Sequence, residues 1–384
     1  MADTFINIEH DINVVEAAER RILNVFEKHK MVCFSTSGGK DSLCLADVLI
    51  RTMQKYNISF KRLFVVFFDE EAMFDDVIEI ARQQRSRFMS LGAKFYWMCI
   101  PIKHYNCCSL LYDDESFICW QPGKEDVWVR PMPSFAVRKH RDFKPGQTYQ
   151  IFFKSIVGKI PVITGMRMAE SVMRRNALSR AKPDAQFVAP LYDWKDNDIW
   201  LYIQRYHLDF PETYIRLWKI GVPRNKLRIS QFFALDTVKT LPKLLEIDPQ
   251  LADKVVKREP NAELAFLYWD TPMFRANGER SKLADEIREE KGESIDYERR
   301  FKDAMLEAPN YPEMYRGFKV VKPLYAQLGE HHSQKLYRDL LQILVAGDAK
   351  KRRYRVLFNR IRAEKKNIIK NGGEQDGTGQ DSEG

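Results

Sequence analysis

The sequence predicts an α/β protein: an open, mostly parallel sheet with helices on both faces, followed by a helical C-terminal region. Three observations lead there. Through the first half of the chain, short apolar runs alternate with longer amphipathic ones, the pattern of parallel strands joined by crossover helices. After about residue 210 the β-type runs stop and helical periodicity takes over. The length of 384 residues and the 45% hydrophobic content suffice for one large core and a smaller second one.

In chain order, strands are expected at 31–36, 62–68, 94–100, 160–165 and 187–191, because each is a short apolar run bounded by polar or turn residues. Amphipathic stretches between them predict helices at 42–56, 73–91, 168–180 and 194–206. The segment 106–146 breaks this rhythm with prolines, glycines and scattered aromatics, and is expected to be an insertion or lid over the sheet's rim. Helical periodicity follows at 236–257, 279–292, 295–307, 331–346 and 349–369. These patterns divide the chain into an α/β domain at 1–220, a helical domain at 221–348, a basic helix at 349–370 and a tail at 371–384. The tail has no apolar residue and is expected to be disordered.

The net charge of +9 is unevenly placed. Between Lys350 and Lys370 ten bases face a single acid, Glu364, while the last fourteen residues carry four acids and no base. That leaves a body of only +4 up to residue 349. The basic stretch places Tyr354, Leu357, Phe358, Ile361 and Ile368 near one helical face, so it suits either a helix packed on the body or a nucleic-acid contact through Lys350, Lys351, Arg352, Arg353 and Arg355. Six cysteines, all at or before Cys119, do not resemble a disulfide framework and are expected to be reduced. No leader-like opening and no apolar run of membrane-spanning length is present, which leads to the expectation of a cytoplasmic protein without a membrane partner.

Chemistry concentrates in "CFSTSGGKDSLCLADVLI", Cys33 to Ile50. A strand that ends in glycines and feeds a helix offers free backbone N–H groups at a helix N-terminus, which bind phosphate. Gly38 and Gly39 would permit close approach, Lys40 would add a charge, and Ser37 and Ser42 would add hydroxyls. The bland alternative is a glycine turn with Ser42 as cap. The string is neither G-x-x-x-x-G-K-[ST] nor G-x-G-x-x-G, so kinase-type and dinucleotide loops are excluded.

The string Ser37-Gly38-Gly39-Lys40-Asp41-Ser42 resembles the pyrophosphate (PP) loop of the adenine-nucleotide α-hydrolase superfamily. Two later stretches extend the resemblance to its phosphoadenosine phosphosulfate (PAPS) reductase branch. "TGMRMAESVMRR" is similar to G-x-R-x-x-E-S-x-x-R at Gly165, Arg167, Glu170, Ser171 and Arg174, and "PLYDWKDNDIWLYI" to P-[LI]-x-x-W-x-x-x-D-[IV]-W. The resemblance implies an adenine nucleotide at the carboxyl ends of parallel strands, as the topology predicts independently. It also implies ATP with Mg²⁺ on the loop, Asp41 assisting the metal or the loop geometry, and Asp69 contacting ribose or metal. Asp69 begins Asp69-Glu70-Glu71, where relatives carry Asp-Thr-Gly or Asp-Thr-Glu, and acids also favour a helix's first turn.

Arg167 and Arg174, seven apart, are expected on one helix face, where two guanidiniums suit a phosphate or sulfate; a surface pair of Glu170 with Arg174 is the plain alternative. Trp194, Ile199, Trp200 and Ile203 are expected in the core. The branch's reductases carry a C-terminal Cys-Gly motif, and no cysteine follows Cys119 here. Sulfonucleotide reduction and an iron–sulfur cluster are therefore not expected, and Cys107, Cys108 and Cys119 are expected to be structural thiols. The expected activity is cleavage of ATP at its α–β bond to activate an acceptor, with Lys40, Asp41, Arg167 and Arg174 in the catalytic centre. The alternative is a regulator that binds nucleotide or nucleic acid without turnover. "YIRLWKIGVPRNKLRISQFF" and the helical region after it are similar to proteins of the immunoglobulin-binding regulator A kind, a resemblance that implies a ParB-like partner.

Overall fold

The computed structural model describes residues 12–108, 116–180, 185–224, 227–234, 241–268, 286–287, 295–310, 312–326, 333–346 and 354–361. Two compact units divide the chain, Met1–Glu263 and Leu264–Gly384.

The first unit is built on a sheet of five parallel strands: β1 (Val32–Thr36), β2 (Leu63–Phe68), β3 (Lys94–Met98), β6 (Val162–Thr164) and β7 (Phe187–Val188), in the order β3-β2-β1-β6-β7. All five fall where the apolar runs predict them. β4 (Lys103–Tyr105) and β5 (Ser116–Ile118) form a separate antiparallel pair, β5 inside the expected insertion and β4 just before it.

Side-chain alternation along the strands sends neighbours into two different cores, which is why helices cover both faces. Val32, Phe34, Leu63 and Val65 pack with α1 (Val14–Lys28), α2 (Lys40–Lys55) and α6 (Asp196–Arg205). Cys33, Val66 and Phe68 pack on the other side with Phe152, Phe153 and Val157 of α4 (Tyr149–Val157). Trp194 and Ile199 are fully buried and the Trp194 indole N–H donates to the Val14 carbonyl at 3.0 Å, so the tryptophan element serves the core as expected. The sheet domain continues through α3 (Asp75–Ser90), α5 (Val172–Ser179), α7 (Thr213–Lys219), α8 (Leu244–Ile247) and α9 (Pro249–Arg258). The helix expected over 236–257 is thus interrupted, because Asp248 caps a new helix by accepting the Leu251 N–H at 3.0 Å and Pro249 occupies its first turn.

α10 (Asn261–Tyr268) spans the division between the units. The second unit contains α11 (Tyr297–Glu307), α12 (Pro312–Tyr325), α13 (Gln334–Ala346) and α14 (residues 354–361). Helices α12 and α13 lie backbone to backbone at Gly317, where a Cβ would fall 1.9 Å from the Leu344 carbonyl oxygen. Leu357 and Ile361 of α14 are buried in this unit's core, with Tyr354 and Phe358 packed against it, which is the packed-helix alternative for the basic stretch. Arg355 is exposed on that helix. Lys350, Lys351, Arg352, Arg353, Ile368, the tail at 371–384 and most of the helix expected at 279–292 lie outside the described residues. No helix among the described residues is long and apolar enough to cross a membrane.

Candidate functional site

Strand β1 carries the chain to Thr36 at the centre of the sheet, and α2 begins four residues later at Lys40. The turn between them depends on Gly38, whose φ of +73° lies in the left-handed region. A Cβ there would also sit 2.9 Å from Val77 Cγ1 and 3.0 Å from the Val77 carbonyl oxygen of α3. Gly39 is the N-cap of α2 and has no side chain to cap it; the Lys40 N–H is taken by the Tyr214 hydroxyl, and those of Asp41 and Ser42 have no partner within the helix. Ser42, inside that turn, donates to the Gly39 carbonyl at 2.9 Å and lies 3.2 Å from the Ser37 hydroxyl. Its hydroxyl braces the loop from within the helix instead of capping it. Replacing Gly38 by alanine combines left-handed strain with that contact. It is expected to lower the unfolding free energy of the first unit by about 1–3 kcal/mol, measured by urea denaturation of the full chain.

The end of β6 comes up beside this turn. A Cβ on Gly165 would lie 3.1 Å from the Ser42 amide nitrogen, so glycine there lets Arg167 approach α2. Arg167 is 3% exposed, and its Nε lies 2.5 Å from Asp41 Oδ1 in an ion contact without an aligned hydrogen bond. Lys40 is buried as well, with its ammonium 3.1 Å from Asp41 Oδ2 and 3.5 Å from Asp196 Oδ1. Asp196 also faces Arg167 at 3.7 Å and Arg224 at 3.3 Å. Three cations thus surround two carboxylates at a helix N-terminus, leaving the cluster with an excess positive charge. Such a cluster attracts an anion, and in a low-dielectric setting it does so more strongly than the same charges would in water.

Asp196, Tyr214 and Arg224 are the site residues that sequence reasoning missed. The Tyr214 hydroxyl accepts the Lys40 backbone N–H at 3.1 Å, and burial pushes its phenol well above the ordinary range. The acids in "DWKDND" were a visible signal, but the start of a helix explains them equally well.

The two arginines of the second motif do not share a helix. Ser171 is extended and caps α5 by accepting the Arg174 N–H at 3.2 Å, which splits the expected 168–180 helix into a single 3₁₀ turn, Met168–Glu170, and α5. Arg167 precedes both and turns inward. Arg174 pairs with Glu170, as the plain alternative has it, and keeps 43% of its side chain exposed. Glu170 also accepts the Arg167 backbone N–H at 3.2 Å. Glu170 and Ser171 therefore shape the backbone that delivers Arg167.

Asp69 is held elsewhere. Its side chain is fully buried and accepts from the Trp97 indole at 2.8 Å, from the Glu71 N–H at 3.1 Å and from Arg130, so its oxygens have no room for a ribose or a metal. Glu71 has φ +62° and forms a buried ion pair with Arg258, Nε to Oε1 at 2.7 Å, while accepting the Trp120 N–H at 2.6 Å. Glu70 keeps a quarter of its side chain exposed, and desolvation pushes its carboxyl up despite His104 at 3.7 Å. All six cysteines are buried and free. The hydrogen bond with Cys107 and burial push the Cys108 thiol up, and burial does the same to Cys119, so neither favours the thiolate that attacks sulfur.

No family model matches the chain. Uncharacterized protein YbdN of Escherichia coli (strain K12) is 30% identical over 250 residues, a match spanning 58% of this chain and 59% of that protein's length. Among solved structures, Candida glabrata FMN adenylyltransferase is similar at 17% identity and a TM-score of 0.32, covering 54% of this chain and 62% of that one. PAPS reductase from Candida auris is similar at 14% identity and a TM-score of 0.32, covering 59% and 97%. The U34-tRNA thiolase NcsA from Methanococcus maripaludis is similar at 13% identity and a TM-score of 0.30, covering 66% and 78%.

Proposed function

We propose that the chain is a PAPS-reductase-like member of the adenine-nucleotide α-hydrolase superfamily that binds ATP with Mg²⁺ and cleaves its α–β bond, releasing pyrophosphate while AMP activates an acceptor. The observation that supports this most is the glycine-opened N-terminus of α2 at Gly39, with the buried cations Lys40 and Arg167 gathered on it at the carboxyl edge of a parallel sheet.

The residues fit a nucleotide phosphate. Gly38 and Gly39 keep the loop free of side chains, and a Cβ at either would meet a neighbour within 3.2 Å. Arg167 Nε and Asp41 Oδ1, 2.5 Å apart, pair with each other and hold the guanidinium beside the loop. Fit to Mg²⁺ rests on Asp41 and Asp196, since that ion takes one or two carboxylates alongside phosphate oxygens and water. Asp69, spent on Arg130 and Trp97, is not one of them. Bound Mg²⁺ would neutralise charge on the phosphates. Lys40 and Arg167 would stabilise the negative charge that gathers on the departing pyrophosphate, in fixed positions that need no rearrangement. The α2 N–H groups would orient it. The acceptor's oxygen or sulfur would form the new bond to the α-phosphorus as the bond to the bridging oxygen breaks.

The test is to incubate the full chain with Mg²⁺ and α-labelled ATP, alone and with candidate acceptors. Labelled AMP or an AMP adduct with equimolar pyrophosphate is the expected result. Tight ATP binding with no such product would favour the regulator without turnover, and no ATP binding would overturn the proposal.

A further inference from the structure

The loop at the start of α2 is covered. Gly38, Gly39 and Lys40 are all buried. Val77 of α3 lies against Gly38, and the covering atom at Gly39 is the Tyr214 hydroxyl, 3.2 Å from where a Cβ would stand. That hydroxyl accepts the Lys40 N–H at 3.1 Å, the first amide of α2. An anion at a helix N-terminus accepts from these first amides. A phosphate oxygen and the phenol oxygen cannot both lie in line with the Lys40 N–H, so Tyr214 stands where an anion would be held.

Tyr214 belongs to α7, and α7 is lightly held. Thr213 donates its backbone N–H and its hydroxyl to Asp76 Oδ2 at 2.7 and 2.8 Å. Beyond the helix, Arg224 reaches Asp196 at 3.3 Å with half of its side chain exposed, and an ion pair so open to water contributes little. Tyr214, Leu217 and Val222 pack in a small cluster of their own, apart from the cores on the two faces of the sheet. Ile215 and Trp218 of the same helix are exposed. A seven-residue helix with a small separate cluster opens at lower cost than the helices that cover the sheet. Its hydrogen bond to the α2 loop is the one from Lys40, with the Lys40 ammonium 5.8 Å from the Tyr214 ring centre.

We propose that α7 is a gate over the α2 loop, latched by the Tyr214 hydroxyl on the Lys40 N–H, which swings off to admit phosphate groups. The gate rests on the reading of that loop as a phosphate site. A ligand that binds only the open form has its affinity reduced by the fraction of molecules that are closed. Weakening the latch therefore tightens phosphate binding, whereas a Tyr214 that served phosphate as a hydrogen-bond donor would give the reverse.

Inorganic pyrophosphate and ATP, each with Mg²⁺, are titrated calorimetrically into the full chain, Tyr214→Phe and Thr213→Val. Tyr214→Phe keeps the ring and removes the latch. Thr213→Val keeps Tyr214 and removes one of the two bonds that tie α7 to Asp76. Tyr214→Phe is expected to bind at least one of the two ligands about threefold to tenfold more tightly, and Thr213→Val to move the same way. Hydrogen exchange of the α7 amides in the unaltered chain is expected to quicken when the bound ligand is added. The gate is overturned, and the phosphate site left standing, if Tyr214→Phe binds within twofold of the unaltered chain or more weakly, if Thr213→Val does not tighten binding, or if α7 exchange fails to quicken although ligand binds. If neither ligand binds any of the three chains, the phosphate site itself is overturned and the gate with it.

Discussion

Arg258→Ala is expected to lower the unfolding free energy of the first unit by about 3–5 kcal/mol, the cost of leaving a buried carboxylate without its partner. Glu71 and Arg258 have side chains 0% and 1% exposed, so solvent does not screen the loss. Glu71 is also held with φ +62°, a conformation that costs a non-glycine residue about 1–3 kcal/mol and persists only while its surroundings demand it. Those surroundings are Arg258, the Trp120 N–H at 2.6 Å and the Val129 N–H at 3.4 Å. Arg258 donates in addition to the Ile118 carbonyl at 2.7 Å, so one guanidinium ties α9 to the end of β2 and to β5. Guanidinium denaturation of the full chain, following the first unit's transition, measures the effect. Glu71→Gln/Arg258→Met removes both charges and is expected to recover much of the loss, because an ion pair replaced by uncharged groups costs far less than one broken in half. A loss below about 1 kcal/mol for Arg258→Ala would show that water reaches Glu71 and that the pair does not anchor the helix.

That anchor explains why the sheet unit extends to residue 263. Helical periodicity after residue 210 is visible in sequence, but nothing local in "LADKVVKREP" says that Arg258 reaches a residue 187 positions earlier. The strands were legible for the opposite reason: β1, β2 and β6, at the centre of the sheet, are buried on both faces and mostly apolar, and the edge strands β3 and β7 are short apolar runs that stand out from their flanks. The loop from Ser37 to Ser42 was legible because its chemistry is contiguous. Arg167 was legible as a site residue, but its direction was not. Helical spacing puts it beside Arg174 only if the helix is continuous, and Ser171 breaks that helix. Asp69 misled because a strand-end carboxylate looks the same in sequence whether it faces solvent or a buried arginine. Arg130, its partner, comes from the insertion, the part of the chain with the least regular pattern.

Arg167→Ala is expected to weaken ATP binding by about tenfold to a hundredfold, the effect of losing about 1.5–3 kcal/mol of charge-assisted contact. The argument begins with the charges already present. Lys40, Arg167 and Arg224 oppose Asp41 and Asp196, so removing Arg167 brings the cluster to neutrality and abolishes its pull on an anion. The structural effect has to be separated from this, because Arg167 is buried and donates to the Trp194 carbonyl at 3.3 Å. Arg167→Lys separates them. It restores the net charge beside Asp41 while giving up the planar fork, so a purely electrostatic role predicts recovery of most of the affinity, and a role in orienting phosphate oxygens predicts recovery of little. Calorimetric titration with ATP and Mg²⁺, paired with thermal unfolding of each variant, reads both effects. Lys40→Ala should produce a loss of similar size, since its ammonium lies on the same two carboxylates. If both alanine variants bind ATP within twofold of the unaltered chain and remain folded, the nucleotide does not sit at the start of α2. The glycines at 38 and 39 would then serve the turn alone.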